Sequence, residues 1–182
     1  MNNNTFVHKY LSGILHKDMI AADMTCGNGN DTLFLSERVK WVYAFDIAQE
    51  AIGNAKKKTE GLKNITFLLE DHLLFDHYLK EADLFIFNLG YLPKSEYYYP
   101  TQADNTIKTI QKAYDHLSDK GYLIITIYPG HPEGLEEYEK INIFLSKEGI
   151  IPLERYRQYK KAREPETLII KKNSGGRSSF SK

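Results

Sequence analysis

Short apolar runs alternate with amphipathic segments along most of this 182-residue chain. Apolar residues recur at intervals of three and four over residues 4–16, which predicts an N-terminal helix. Five apolar runs follow, most of them separated by helix-like segments, and this alternation is typical of a parallel sheet. The runs predict strands at 19–23, 41–45, 64–69, 82–87 and 121–128. The intervening and following segments predict helices at 31–38, 48–59, 104–117 and 135–146.

The last two apolar runs, 152–159 and 166–171, follow one another without an intervening helix. Consecutive strands joined by a short loop pair antiparallel. We therefore predict an α/β domain over 1–172, with a seven-stranded, mostly parallel sheet, a C-terminal antiparallel hairpin and helices on both faces. Residues 173–182 are mostly small and polar, and we expect a disordered tail.

Composition excludes several classes of protein. The N-terminus is polar and no apolar run approaches the roughly 18 residues of a membrane span, so we expect a cytoplasmic protein without membrane contact. The single Cys26 cannot form an intramolecular disulfide, and six scattered histidines without a Cys-x-x-Cys motif argue against a metal site. Cys26 is expected to be a small residue in a tight turn and not a nucleophile, because no histidine lies near it in sequence.

A carboxylate and a glycine turn follow the first predicted strand. Asp23 ends the strand, Gly27 and Gly29 form a Gly-x-Gly turn, and Asp31 and Thr32 open the next helix. Glycine lacks a Cβ atom, so the backbone can turn sharply and approach a bound molecule closely. The first turn of a helix exposes N–H groups that favour oxygen acceptors. This layout predicts a ligand site at the carboxyl end of the first strand.

The spacing of this turn bears on the ligand. A dinucleotide fingerprint needs a third glycine three residues after Gly29, where this chain has Thr32. Asp23 would repel a pyrophosphate but would attract a positive group, which favours S-adenosylmethionine with its ammonium and sulfonium charges. The alternative is an ordinary loop with two turn glycines, and the turn alone does not decide between them.

Two further strands end in carboxylates. Asp46 follows the second strand 23 positions after Asp23, close to the offset at which a βαβ unit places a carboxylate on a ribose. Asp46 would also serve as an N-cap for the following helix, and both roles can hold at once. Asp71 follows the third strand and is itself followed by His72. We expect the three carboxylates to converge on one crevice at the carboxyl edge of the sheet.

The C-terminal part is basic although the whole chain has no net charge. Nine basic and two acidic residues lie between Arg155 and Lys182, an asymmetry that points mildly to nucleic acid. A solvated basic tail is an equal alternative. The candidate phosphate contacts form a basic edge on and between the last two strands: Arg155, Arg157, Lys160, Lys161 and Arg163.

Four segments together carry a resemblance to a known family. They read Asp23-Met-Thr-Cys-Gly-Asn-Gly-Asn-Asp-Thr-Leu-Phe-Leu35, Asn88-Leu-Gly-Tyr-Leu-Pro93, Asn105-Thr-Ile-Lys108 and Tyr128-Pro-Gly-His-Pro-Glu-Gly134. They resemble the small bacterial rRNA methylases, Rossmann-like class I methyltransferases now associated with the MnmM-type tRNA 5-aminomethyl-2-thiouridine methyltransferases. The chain departs from the family pattern at Lys94-Ser95-Glu96 and at Pro165-Glu166, on the presumed substrate side.

The resemblance implies S-adenosylmethionine-dependent methyl transfer to the aminomethyl group of a wobble uridine, with the tRNA anticodon region as partner. It implies Asn88 and Tyr91 as the catalytic residues: Asn88 and the Leu89 carbonyl align the reacting amine, and Tyr91 stacks on or borders the base. The cofactor residues it implies are Asp23, Thr25, Cys26, Gly27, Asn28, Gly29, Asn30, Asp31, Asp46, Ile47, Asp71, His72, Asn88, Leu89 and Gly90. The substrate residues it implies are Tyr91, Pro93, Asn105, Tyr128, His131, Lys160, Lys161 and Arg163.

Several alternatives stay open on the sequence. His131 would contact substrate or only hydrogen-bond the backbone, and Tyr97 to Tyr99 would contact a base or have no role. A methyltransferase acting on rRNA or a small molecule would use the same cofactor residues, and a nucleotide-sensing module would bind without turnover. A homodimer is one open alternative for the oligomeric state.

Overall fold

The computed structural model describes residues 1–90, 103–158 and 163–172. Within these ranges the helices are α1 (Asn3–Ser12), α2 (Asn30–Ser36), α3 (Gln49–Lys58), the 3-10 helix η1 (His72–His77), α4 (Ala103–Asp115) and α5 (Pro132–Lys147). The strands are β1 (Ile20–Asp23), β2 (Trp41–Asp46), β3 (Ile65–Leu69), β4 (Ala82–Asn88), β5 (Leu117–Ile127), β6 (Glu154–Arg157) and β7 (Glu166–Lys171). The predicted tail, 173–182, lies outside the described residues.

The seven strands form one sheet in the order β3-β2-β1-β4-β5-β7-β6. The pairs from β3 to β5 are parallel, whereas β7 is antiparallel to both β5 and β6. This confirms the predicted mostly parallel sheet with its antiparallel C-terminal hairpin. The chain order reverses between β1 and β4, so a crevice opens beyond the carboxyl ends of these two strands.

Alternate residues of the central strands build two cores. On β4, Leu84 and Ile86 pack with α1 and α2 on one face, while Phe85 and Phe87 pack with η1, α4 and α5 on the other. All four side chains are buried, as expected for a parallel strand covered on both faces. The helices on both faces were also predicted.

Helix α1 ties the N-terminus to the hairpin. The Asn3 side chain donates hydrogen bonds to Thr167 Oγ1 (2.9 Å) and to the Pro165 carbonyl (3.2 Å), and Phe6 stacks on Tyr156 at 4.0 Å. Because Asn3 contacts the start of β7, the first turn of α1 lies near the carboxyl edge of the sheet, where β7 begins opposite the end of β5. The helix ends at Ser12, four residues before the predicted end.

Several predicted boundaries were wrong. Helix α4 ends at Asp115 and β5 already begins at Leu117, which pairs with Ala82, so the strand is longer than predicted. Helix α5 begins at Pro132 and not at Leu135. Proline suits the first helical position because its fixed φ is helical and because an N–H at that position would have no partner within the helix. Strand β6 covers 154–157 and not 152–159, and η1 was not predicted.

No helix in the described part of the chain is long and apolar enough to cross a membrane.

Candidate active site

The glycine loop that leaves β1 is held by backbone hydrogen bonds to both neighbouring strands. The Met24 amide donates to the Ile86 carbonyl of β4 (2.9 Å), and the Cys26 amide donates to the Phe45 carbonyl of β2 (2.8 Å). The loop therefore crosses the carboxyl ends of β1, β2 and β4, at the position where open α/β sheets bind ligands.

Asp46 anchors this loop. Its Oδ2 accepts a hydrogen bond from the Gly27 amide (2.8 Å) and its Oδ1 accepts one from the Ala48 amide (2.9 Å). The N-cap of α3 is Ala48, so the expected capping role of Asp46 was wrong in detail. A half-buried carboxylate that already orients the loop is well placed to meet a further donor such as a ribose hydroxyl.

The two loop glycines differ in what surrounds them. Both have positive φ, +51° at Gly27 and +73° at Gly29, a region that favours glycine. A Cβ at Gly29 would lie 2.7 Å from the Cα of Ala55, so Gly29 is needed for the close approach of the loop to α3. A Cβ at Gly27 would meet only the Thr25 carbonyl at 3.8 Å. Gly27 therefore leaves open the space in which a ligand could approach the loop.

Asp23 is buried and accepts two hydrogen bonds. Thr32 Oγ1 donates to its Oδ2 (2.6 Å) and the Thr25 amide donates to its Oδ1 (3.3 Å). Burial, followed by the nearby Asp31 carboxylate, raises the pKa of Asp23 to about 7. A cation bound beside Asp23 would restore its ionised form, so this carboxylate suits a positively charged ligand.

Asp31 is linked to α1 by a contact that the sequence analysis missed. His8 Nε2 lies 2.7 Å from Asp31 Oδ1, and the His8 ring stacks on Phe34 at 3.9 Å. The two residues are 23 positions apart, and no motif connects them. The N-terminal helix therefore contributes directly to the wall of the site.

The end of β4 brings Asn88 beside the loop. The Asn88 amide donates to Thr25 Oγ1 (2.7 Å), and its side chain hydrogen-bonds the hydroxyl of Tyr128. Its side-chain Oδ1 is buried and has no hydrogen-bond partner among the described residues. Burial and then Asp31 raise the pKa of the Tyr128 phenol. A buried acceptor without a donor is costly unless a ligand supplies one.

Leu89 and Gly90 continue from β4 under the Tyr128 ring. The Leu89 amide donates to the Thr126 carbonyl (2.9 Å), and Leu89 is buried. A Cβ at Gly90 would lie 3.0 Å from a ring carbon of Tyr128. This close packing brings the ends of β4 and β5 together on one side of the crevice.

Asp71 and His72 form the β3 side. Asp71 caps η1 by accepting from the Leu73 amide (2.8 Å). Burial lowers the pKa of the His72 imidazole, which also interacts electrostatically with Asp71 and Asp46 and hydrogen-bonds the Met24 backbone. Asp46 likewise acts on Asp23, so the three strand ends meet in one crevice, as the sequence predicted.

The remaining loop residues are anchored by α3. Asn54 Nδ2 donates to Asn28 Oδ1 (3.2 Å) and Lys58 Nζ donates to Asn30 Oδ1 (2.5 Å). Ile47 is exposed, so its apolar side chain can contact a ligand beside Asp46. Cys26 is buried, and burial raises the pKa of its thiol, so the prediction that it is no nucleophile fits its surroundings.

The residues assigned to substrate differ in position. His131 caps α5 by accepting from the Gly134 amide (3.1 Å), which is the backbone role left open by the sequence. Asn105 is half-buried in α4. Arg163 is exposed, and its carbonyl would lie 3.8 Å from a Cβ at Gly130, next to the Tyr128 loop. Tyr91, Pro93, Lys160, Lys161 and the Tyr97 to Tyr99 run lie outside the described residues.

The basic edge needs a correction. Arg155 and Arg157 both pair with the buried Glu166, at 3.4 and 3.3 Å, and Arg157 also donates to the Tyr138 hydroxyl. These two guanidinium groups share one carboxylate within the hairpin, and this engagement makes them poorer candidates for phosphate contacts. Among the described residues of the proposed edge, Arg155 and Arg163 are exposed, and Arg155 is engaged with Glu166.

Over the described ranges, no group of three or more histidine, cysteine, aspartate or glutamate side chains could hold a metal ion.

Comparisons with known proteins agree with this geometry. Residues 42–172 match the family described as "Putative rRNA methylase". A protein of that description from Clostridium thermocellum is 31% identical, with a TM-score of 0.84 over 94% of this chain and 98% of its own. A structure from Streptococcus mutans, described as a putative methyltransferase in complex with SAH, is 32% identical, with a TM-score of 0.83 over the same shares.

A curated relative adds a narrower activity. The chloroplastic tRNA (mnm(5)s(2)U34)-methyltransferase of Arabidopsis thaliana is 30% identical over 156 residues, or 75% of this chain. This chain spans 56% of the length of that relative. The family match covers six of the seven strands, from β2 to the end of β7, and does not include β1 and the glycine loop. The chain therefore belongs to the rRNA methylase family of class I methyltransferases, which use S-adenosylmethionine.

Proposed function

We propose that this protein transfers a methyl group from S-adenosylmethionine to the exocyclic amine of a 5-aminomethyluridine, with or without the 2-thio group, at the tRNA wobble position. The observation that carries the proposal is the buried Oδ1 of Asn88, an acceptor without a donor at the carboxyl end of β4. An alkyl amine carries the N–H donors that this oxygen needs. The Arabidopsis relative, whose name gives the same wobble nucleoside, supports the choice.

The residues around the crevice suit the cofactor. Bound S-adenosylmethionine supplies a methyl group on a positively charged sulfur. Asp23 would balance positive charge from within the sheet, and Asp46 would accept from a ribose hydroxyl while holding the Gly27 amide. Gly27 keeps the loop free of a side chain at the approach. His72, kept neutral by burial, adds no repelling positive charge near the cofactor.

Asn88 would align the amine for attack. The neutral amine would take the methyl group that bound S-adenosylmethionine supplies, the sulfur would keep the electron pair of the broken carbon–sulfur bond, and the product amine would release a proton. Such a displacement depends chiefly on alignment and on an unprotonated amine, so the site needs a positioning acceptor more than a strong base. The hydrogen bond from Asn88 to Tyr128 holds the amide plane in place for this task.

The test is methylation of defined RNAs by the purified protein. Anticodon stem-loops carrying 5-aminomethyl-2-thiouridine, 5-aminomethyluridine or unmodified uridine are incubated with S-adenosylmethionine, and nucleosides are analysed by mass spectrometry. We expect one added methyl group on either aminomethyl nucleoside and none on uridine.

The same assay separates the alternative substrates. Transfer to ribosomal RNA fragments but not to the aminomethyl stem-loops would overturn the proposal in favour of an rRNA methyltransferase. Stoichiometric cofactor binding without transfer to any RNA would favour a binding module.

A further inference from the structure

A groove between α1 and α2 lies directly behind the His8–Asp31 contact. It encloses about 360 Å³, within the range of small-molecule sites, and its lining includes Asn4, His8, Asn30, Phe34, Glu37 and Arg38. Asn30 and Asp31 are adjacent, and Asp31 acts electrostatically on both Asp23 and Tyr128. The groove therefore adjoins the crevice, with the His8–Asp31 pair at their junction.

A layered stack forms one wall of this groove. The His8 ring lies 3.9 Å from the Phe34 ring and nearly parallel to it, and the Arg38 guanidinium carbon lies 4.0 Å from the same ring centre. Two groups this close to one ring centre must occupy opposite faces, because they would otherwise overlap. The order is thus His8, Phe34, Arg38, and each end of the stack presents a flat cationic or aromatic group. Such surfaces stack on nucleobases irrespective of base identity.

The groove also offers polar groups and positive charge. Asn4 makes no side-chain hydrogen bond within the described part of the chain, and the Nδ2 of Asn30 remains a donor while Lys58 occupies its Oδ1. Arg38 and Lys58 border the groove, and Lys17 reaches the Glu37 carbonyl at 2.6 Å. Arg38 is paired with Glu37 (3.0 Å) and Asp31 adds a second carboxylate, so three cations lie beside two carboxylates, and this small excess of positive charge favours an anionic chain such as RNA.

We propose that this groove binds one unpaired nucleotide adjacent to the methylated base, with its base stacked on the His8–Phe34–Arg38 layers. The inference rests on the proposed function, because it requires a single-stranded RNA loop at the crevice. A wobble uridine must leave the anticodon stack to enter the crevice, and its neighbour then loses a stacking partner. The groove replaces that partner and fixes the direction of the RNA across α1 and α2.

The test compares Arg38→Ala and Arg38→Lys with Lys40→Ala, a matched loss of an exposed cation outside the groove. The probe is an anticodon stem-loop carrying 5-aminomethyl-2-thiouridine, and its affinity is measured at several salt concentrations. We expect both Arg38 variants to bind on the order of ten-fold more weakly, because lysine keeps the charge but not the flat guanidinium. The salt dependence of Arg38→Lys and the cofactor affinity of both Arg38 variants should match those of Lys40→Ala, whereas loss of the Arg38 hydrogen bond to the Phe34 carbonyl should lower the melting temperature of Arg38→Ala.

Other outcomes overturn the inference. If Arg38→Lys restores wild-type affinity while Arg38→Ala lowers the salt slope, Arg38 contacts a phosphate and no base is stacked. If wild-type protein methylates the stem-loop and Arg38→Ala binds it normally, the groove does not bind a nucleotide, whereas the proposed function stands. If wild-type protein neither binds nor methylates the stem-loop, the proposed function is wrong, and the inference that rests on it is wrong as well.

A second measurement does not depend on variants. Stem-loops with 5-iodouridine on either side of the target base are cross-linked to wild-type protein by light, and the modified peptide is identified. A cross-link within α1 or within residues 33–38 from one of the two positions supports the groove, and cross-links found only elsewhere overturn it.

Discussion

The amide of Gly27 donates a hydrogen bond of 2.8 Å to the carboxylate of Asp46, across 19 positions of sequence. The same carboxylate accepts from the Ala48 amide, so one side chain fixes both the glycine loop after β1 and the turn after β2. Asp46, which the sequence predicted to bind a ribose, therefore also fixes the glycine loop that would contact the rest of the cofactor.

Replacing Asp46 should weaken cofactor binding. We expect Asp46→Ala to reduce affinity for S-adenosylmethionine by about 1–3 kcal/mol, because a charged acceptor is lost and the Gly27 amide is released. Calorimetric titration measures the affinity, and the melting temperature of the free protein measures the loop effect. A lower melting temperature with unchanged affinity would leave Asp46 its structural role only.

The two glycines should respond differently to alanine. Gly29→Ala combines positive φ with a 2.7 Å approach to the Ala55 Cα, and we expect it to destabilise the fold by about 2–4 kcal/mol. Gly27→Ala meets open space, so we expect about 1–2 kcal/mol from φ alone and a clear loss of cofactor affinity. Urea unfolding and titration of both variants check this. Equal destabilisation of the two would contradict the assigned contacts.

Asp23 should make both stability and binding depend on pH. Its pKa, about 7 when folded, exceeds the value of about 3.9 in an unfolded chain. Between these values the folded state holds more protons, so its contribution to the free energy of unfolding falls as pH rises from about 4 to about 7. We expect Asp23→Asn to remove this decrease in the free energy of unfolding, as measured by urea unfolding between pH 4 and pH 7.

The same carboxylate predicts proton release on cofactor binding. A cationic ligand favours the ionised form of Asp23, so binding of S-adenosylmethionine near pH 6.5 should release a fraction of one proton. Calorimetry in buffers of different ionisation enthalpy measures this number. Binding without proton release would show that no positive group of the cofactor lies near Asp23.

Asn88→Ala should separate alignment from binding. We expect the single-turnover rate of methyl transfer to fall by about ten-fold or more, while affinities for cofactor and RNA change little. The loss arises because the amine would lack its acceptor, and the lost side-chain hydrogen bond to Tyr128 should lower the melting temperature. A variant with the wild-type rate would exclude Asn88 from the reaction.

The basic edge predicts an effect on RNA alone. The segment with Lys160 and Lys161 joins β6 to β7, next to the exposed Arg163. Charge reversal of both lysines to glutamate should weaken tRNA binding and flatten its salt dependence, since fewer counterions are released. Cofactor affinity should stay the same. An unchanged salt slope would show that the RNA runs elsewhere.

Arg157 provides the contrasting variant. It pairs with the buried Glu166 and donates to Tyr138, so Arg157→Ala should lower the free energy of unfolding and leave the salt slope of RNA binding unchanged. Thermal unfolding and filter binding of the same preparation measure the two effects. A large change in the salt slope would return Arg157 to the RNA surface.

The central elements could be predicted because their signals are local. Strand β4 is a nearly continuous apolar run, and the structure differs from its predicted range by one residue. Strand β7 has the predicted bounds. The ends of α4 and α5 were less predictable, because Leu117 joins β5 through pairing with Ala82 and Pro132 starts a helix that a loop pattern concealed.

The sequence by itself determined the alternation of strands and helices, the glycine turn and the carboxylates that end three strands, since each depends on neighbours within a few positions. Only the tertiary structure decided which partners these groups have. It joined His8 to Asp31, set Gly29 against Ala55 and gave Glu166 to both Arg155 and Arg157. Such contacts depend on how helices and strands pack against each other, and periodicity along one segment carries no information about its distant partner.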